Sequence, residues 1–150
     1  MSEFLRLNGG QVVELKLNLP PAIEALALCP QLERLHIISP YPRNLDHIFK
    51  QGPGHPQLCK LIINVPCTGM TQPDRGMQLV IESLLNFDFS SFPNFREIHV
   101  ENFVWPTTDR DVQRHPTCIS FCRSAKQQGI VVFDGTGTPW RERAQLRRDR

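Results

Sequence analysis

The sequence predicts an α/β fold, a short curved solenoid of about five mostly parallel strands with irregular helices between them. Three observations carry that expectation. A nine-residue sentence is written three times: CPQLERLHI from Cys29 to Ile37, HPQLCKLII from His55 to Ile63, and FPNFREIHV from Phe92 to Val100. Each copy ends in two apolar residues separated by one variable residue, an alternation that sends both to one face of a short strand. Between the copies the apolar spacing changes to that of a helix.

A weaker copy comes first. In VVELKL, the residues Val12, Leu15 and Leu17 take the places held later by Leu32, Leu35 and Ile37, by Leu58, Leu61 and Ile63, and by Phe95, Ile98 and Val100. Successive copies are offset by about 20, 26 and 37 residues, an irregular period near the range of stacked repeats. PPAIEALALC sets Pro at a helix start and Ile23, Leu26 and Ala27 on one side. NLDHIFKQG predicts one or two helical turns stopping at Gly52. RGMQLVIESLLNF gives the clearest helix, with Met77, Val80, Ile81, Leu84 and Leu85 along one wide stripe. In the last unit, RHPTCISFCRSAKQQG, the residues Cys118, Phe121, Cys122 and Ala125 fall at helical spacing before Gly129, and IVVF predicts a final strand. Pro at the second place of each copy ends the preceding helix and marks the strand edge, because it neither continues a helix nor donates to a ladder. A single unit buries its apolar face only against a neighbour, so the units are expected to stack.

At 150 residues the chain is about one domain, long enough to bury roughly two thirds of its extended surface. We place a repeat domain at 1–139 and a basic tail at 140–150. The net charge is +2, and the last ten residues hold five Arg against one Glu and one Asp, so the other 140 residues sum to about −1. A nearly neutral body excludes nucleic acid as the expected partner. The tail has one short basic cluster and no aromatic beyond Trp140, and reads as a solvated, polar end to the stack. No apolar run reaches the roughly 18 residues of a membrane span, and MSEFLRLNGG lacks the basic and apolar regions of a signal peptide. Neither a membrane nor secretion is expected. Five scattered Cys, an odd number, point to a reducing intracellular compartment, cytoplasmic or nuclear.

The stretches LERLHI, LCKLIIN and FREIHVEN resemble the Leu-x-x-Leu-x-Leu core of leucine-rich repeats, in the irregular form of the C-terminal parts of fungal F-box-like proteins. The likeness covers roughly residues 10 to 140 and takes in FPNFREIHVENFVWPTT and DGTGTPW. Leu32, Leu35, Ile37, Leu58, Leu61, Ile63, Phe95, Ile98 and Val100 match the repeat core; Asn102 falls two places after Val100, whereas Asn64 follows Ile63 directly. The resemblance implies a leucine-rich-repeat-like domain whose repeat surface recognises the substrate of a ubiquitin ligase, with a helical F-box upstream docking to an adaptor. No stretch here matches the F-box, so adaptor docking is not expected of this chain.

Three constellations are candidates for chemistry. DGTGT, Asp134 to Thr138, follows an apolar run as the phosphorylated-aspartate motif of phosphoryl-transfer ATPases does. Gly135 replaces that motif's Lys, however, and a turn relieved of strain by Gly135 and Gly137 is the simpler reading. His115, Cys118 and Cys122 have partial zinc spacing, and only distant Cys67 completes a fourth ligand. Cys29 or Cys59 with His36 or His55 would make a nucleophile and base, but nothing in the sequence orders such a pair. We therefore expect no enzyme, no catalytic residue, no metal and no cofactor. The alternatives are a phosphoryl-transfer enzyme using Asp134 and an orphan repeat fragment without separate activity.

The strand face opposite the core is the expected site. Lys16, His36, Ile62 and His99 lie between the apolar pair in successive copies and are predicted to form a row, with Arg34, Lys60 and Arg96 nearby. A mixed basic and apolar row suits a protein partner, charge orienting it and Ile62 adding contact area. Trp105, just after the third copy, is either an interface anchor or a lid on the core.

Overall fold

A computed structural model describes residues 2–18, 23–38, 45, 49, 54–64, 78, 81–85, 87–105 and 116–142. Five strands, β1 (Glu14–Leu17), β2 (Arg34–Ile38), β3 (Lys60–Asn64), β4 (Glu97–Glu101) and β5 (Val131–Phe133), form one open sheet in chain order. Every neighbouring pair is parallel. The helices described from end to end are α1 (Ser2–Asn8), α2 (Ile23–Leu28) and α3 (Pro116–Gln127). No helix among the described residues is long and apolar enough to cross a membrane. The arrangement is mixed α/β with few helices.

The repeated apolar places dictate the register. Leu15, Leu35, Leu61, Ile98 and Val132 lie side by side across the sheet, as do Leu17, Ile37, Ile63 and Val100. Apart from half-buried Leu15, all are buried, and the third repeated position, at Leu32, Leu58 and Phe95, is buried beneath them. One-residue slips would turn each strand's apolar pair to the wrong face, which is why this register is strongly specified. Between β3 and β4 the core is aromatic: Phe49, Phe87, Phe89, Phe92 and Phe95 meet in mostly edge-to-face contacts, with Phe89 stacked on Phe95 at 4.9 Å.

The repeated Pro follows the end of a helix in the first copy, where α2 stops at Leu28, but its place relative to the strand differs from the one expected. Strands begin at Arg34, Lys60 and Glu97, four residues after Pro30, Pro56 and Pro93, so Pro does not mark the strand edge. It follows the first residue of a tight turn: Leu32 N–H donates to the Cys29 carbonyl at 3.0 Å and Phe95 N–H to the Phe92 carbonyl at 3.0 Å. Pro fits that position because its fixed φ matches a turn's second residue. In the middle copy the Leu58 amide instead donates to Nδ1 of buried His55 at 3.1 Å, and the Gln57 amide points there too at 3.3 Å. With Nδ1 accepting, Nε2 carries the proton and donates to the Cys29 carbonyl at 2.9 Å, stitching one unit's turn to the previous one.

The best-specified helix is α3. Cys118, Phe121, Cys122 and Ala125 are its buried residues, and Pro116 occupies its first position, where no N–H is needed. Its end is a Schellman motif: Ile130 N–H donates to the Ala125 carbonyl and Gly129 N–H to the Lys126 carbonyl, with Gly129 at φ +76. Residues 78 and 81–84 are helical, with Ile81 and Leu84 buried; Met77 and Val80 of that expected stripe, Pro20, Pro21 and Gly52 lie outside the described residues. In α2, Leu26 is buried but Ala27 faces out and Leu28 is half-buried, a correction to the expected stripe. The larger Leu28 takes the inward place that a methyl would fill poorly.

Candidate functional site

Residues between the apolar pairs point away from the core, and the register lines them up. Lys16 lies beside His36, His36 beside Ile62, Ile62 beside His99, and His99 beside Phe133. Nearer the strands' N-terminal ends Glu14, Arg34, Lys60, Glu97 and Val131 form a second row. Ile38, Asn64 and Glu101 form a shorter third row. Six of the eight residues singled out from the sequence thus share one strand face.

Ion pairs and one ring stack organise that face. Arg34 Nε sits 3.4 Å from Glu14 Oε2, and Lys60 Nζ sits 3.4 Å from Glu97 Oε2. Glu97 Oε2 also meets His99 Nε2 at 3.0 Å. Burial alone would raise the Glu97 carboxyl, but the His99 bond and the Lys60 charge outweigh it and hold the group below the ordinary range. His36 Nε2 reaches over β3 to Glu101 Oε2 at 3.2 Å. Its ring is only 9% exposed, so it is an element of the sheet surface and not a projecting contact. The His99 ring stacks on Phe133 at 4.3 Å and 16°. Lys16 is exposed and Ile62 half-buried. Asn102, at φ +64 just after β4, donates from Nδ2 to Asn64 Oδ1 at 2.9 Å, closing the face at the strands' C-terminal ends.

The other two expected residues lie elsewhere. Arg96 precedes β4, donates to the Phe95 carbonyl at 2.7 Å, and lines a cleft of about 270 Å³ with Phe89, Phe92, Pro93 and Gln128. Trp105 sits half-buried at the far end of the sheet, edge-on to Phe103 at 5.0 Å, its Nε1 donating to the Thr138 carbonyl at 2.7 Å. It is a lid on the core, held by the closing turn.

That turn occupies Asp134 fully. The buried carboxylate accepts from the Thr136 and Thr138 amides and the Thr136 hydroxyl on Oδ1, and from the Trp105 amide on Oδ2. Burial pushes its pKa up, and these hydrogen bonds outweigh burial and leave it below the ordinary value. Gly137 takes a positive φ of +78. Gly135 does not; a Cβ there would come within 3.1 Å of the Asn102 nitrogen and 3.2 Å of the Phe103 carbonyl oxygen, so what sets this position apart is close approach of backbone and not strain relief.

Among the described residues the cysteine and histidine combinations do not come together. His115 and Cys67 lie outside the described residues. Cys118 and Cys122 are buried, and the Cys118 contact followed by burial pushes the Cys122 thiol far up. Burial also raises the Cys29 thiol, and His55 bonds to the Cys29 carbonyl instead of its sulfur. Cys59 Sγ donates to the Glu33 carbonyl at 3.3 Å. Among the described residues no three metal-binding side chains converge.

Among the residues of the strand face that the sequence reading passed over, Phe133 and Glu101 matter most to its geometry. Aligning IVVF with the earlier copies would have placed Phe133 at His99's position, and Glu101 lies two residues beyond His99 on the same face. Compared with family models, curated proteins and solved structures, the chain gives no match.

Proposed function

We propose that this chain is a leucine-rich-repeat-like solenoid serving as a non-catalytic protein-interaction module, the substrate-reading part of an F-box-like assembly whose F-box lies outside this sequence. The observation that carries the reading is the in-register row Lys16, His36, Ile62, His99 and Phe133 on one face of a parallel sheet. Contacts with Glu97 and Glu101 tether Lys60, His36 and His99 on that face, and side chains already tethered lose less entropy on binding. Catalysis is not part of the reading, since Asp134 engages Oδ1 in its own turn and Oδ2 with the Trp105 amide.

The test is an affinity capture from a fungal lysate with the chain, with Lys16→Ala/Lys60→Ala/Ile62→Ser, and with exposed Lys126→Ala on α3 as control. His36 is left intact because its burial makes it structural. A partner retained by the parent and the control but lost by the triple variant, with hydrogen-exchange protection over β2 to β4, supports the strand face. Retention by the triple variant refutes it.

A further inference from the structure

The two outer edges of the sheet are treated differently. Beyond β5 the chain folds back: Phe133 bridges to Pro139 in antiparallel fashion, the Trp140 amide donates to the Val132 carbonyl at 2.8 Å, and the Asp134 amide donates to the Thr138 carbonyl at 3.1 Å. Pro and Trp on the outside leave that edge unfit for another strand. Beyond β1, among the described residues, no strand follows. Among the described residues three of the five large exposed apolar side chains, Phe4, Leu7 and Val13, belong to this N-terminal part of the chain at 63%, 80% and 40% exposure.

The open edge also carries a self-complementary charge pattern. The Arg34 amide donates to the Val13 carbonyl at 3.0 Å, so the alternation of a parallel ladder turns the Leu15 and Leu17 amides toward β2 and those of Glu14 and Lys16 outward. From this we infer that β1 is a homodimer interface, pairing antiparallel with β1 of a second copy about a two-fold axis at Leu15. Centred there, Glu14 faces the other copy's Lys16 twice over, Leu15 faces Leu15, and Val13 faces Leu17. Those Glu–Lys couples are also the outward-facing amides, as the hydrogen-bonded pairs of an antiparallel ladder must be. Registers that keep the apolar side together but centre on Glu14 or on Lys16 set like charges opposite one another, which is unfavourable. Shifting by one residue sets Leu15 against Lys16 and mixes the two faces. Only the Leu15-centred register satisfies charge, face and hydrogen bonding together, and a two-fold contact of this kind closes on itself as a dimer. The inference stands apart from the strand-face reading, although it would make the two faces continuous.

Sedimentation equilibrium of the full chain over a concentration series tests it, with Lys16→Glu, the swap Glu14→Lys/Lys16→Glu made together with Arg34→Glu because Arg34 is the neighbour of position 14 within one copy, and Phe4→Ser/Leu7→Ser. Lys16 is exposed, so Lys16→Glu should fold, and circular dichroism checks that it does. The expected result is a monomer–dimer equilibrium weakened roughly tenfold or more by Lys16→Glu, which sets Glu against Glu twice, and restored by the swap. A monomer at every concentration overturns the inference, as does a dimer indifferent to Lys16→Glu or not rescued by the swap. Dissociation caused by Phe4→Ser/Leu7→Ser alone, without charge sensitivity, would assign association to α1 and overturn it too.

Discussion

His55 shows how one side chain can replace a backbone device. The other two turns of the repeated sentence close through a carbonyl, whereas here an imidazole accepts from the Gln57 and Leu58 amides and donates to the preceding unit's Cys29 carbonyl. His55→Ala would leave buried polar groups unpaired and is expected to cost about 2–4 kcal/mol in urea unfolding; His55→Asn keeps an acceptor near those amides and should lose less. Equal losses would mean that packing, not hydrogen bonding, holds the turn. Asp134 gives a pH prediction of definite sign. Its folded-state pKa lies below the unfolded one, so its contribution is complete above about pH 4 and disappears as pH falls through the folded value. Stability of the parent should therefore drop more steeply in acid than that of Asp134→Asn. Parallel pH profiles would show that the carboxylate's charge is not what orders the closing turn.

At the scale of elements, what was legible in the sequence followed from periodicity, and what was not depended on contacts between distant residues. The β2, β3 and β4 strands and α3 could be read because alternation or helical spacing fixes which side chains are buried, and Leu35, Leu61, Ile98 and Phe121 all went inside. α1 was not expected: seven residues offer too short a window, and its Phe4 and Leu7 face out while Leu5 packs in. The pairing of His36 with Glu101 joins residues on β2 and β4, and no local pattern announces it. Glycines were read as turn signals, yet their demands differ. Gly129 needs its positive φ but has open space, so Gly129→Ala is expected to cost about 1–2 kcal/mol. Gly54 combines φ +84 with a Cβ position 2.3 Å from the Ser91 carbonyl oxygen, so Gly54→Ala should destabilise far more, because backbone would have to move. Similar thermal shifts for the two variants would contradict this ranking.

Across the whole molecule the sheet is asymmetric, and that asymmetry governs how it opens. Among the described residues β2, β3 and β4 are paired on both sides, β5 is flanked by the returning Pro139–Trp140 segment, and β1 is bonded on one side only. The aromatic cluster of Phe49, Phe87, Phe89, Phe92 and Phe95 is part of the buried core and leads into β4 through Phe95. Phe92, 1% exposed, should cost about 3–5 kcal/mol when truncated to Ala. Local opening follows the fewest buried contacts and the most exposed hydrogen bonds, so amide exchange in dilute solution should be slowest in β3 and β4 and fastest in β1. A β1 paired with a second copy changes that order in a concentration-dependent way. Raising protein concentration should then slow exchange selectively at the Glu14 and Lys16 amides, which face outward, and leave β3 and β4 unchanged. Uniform slowing across the sheet would point to general aggregation, because edge pairing has no route to protect strands already bonded on both sides.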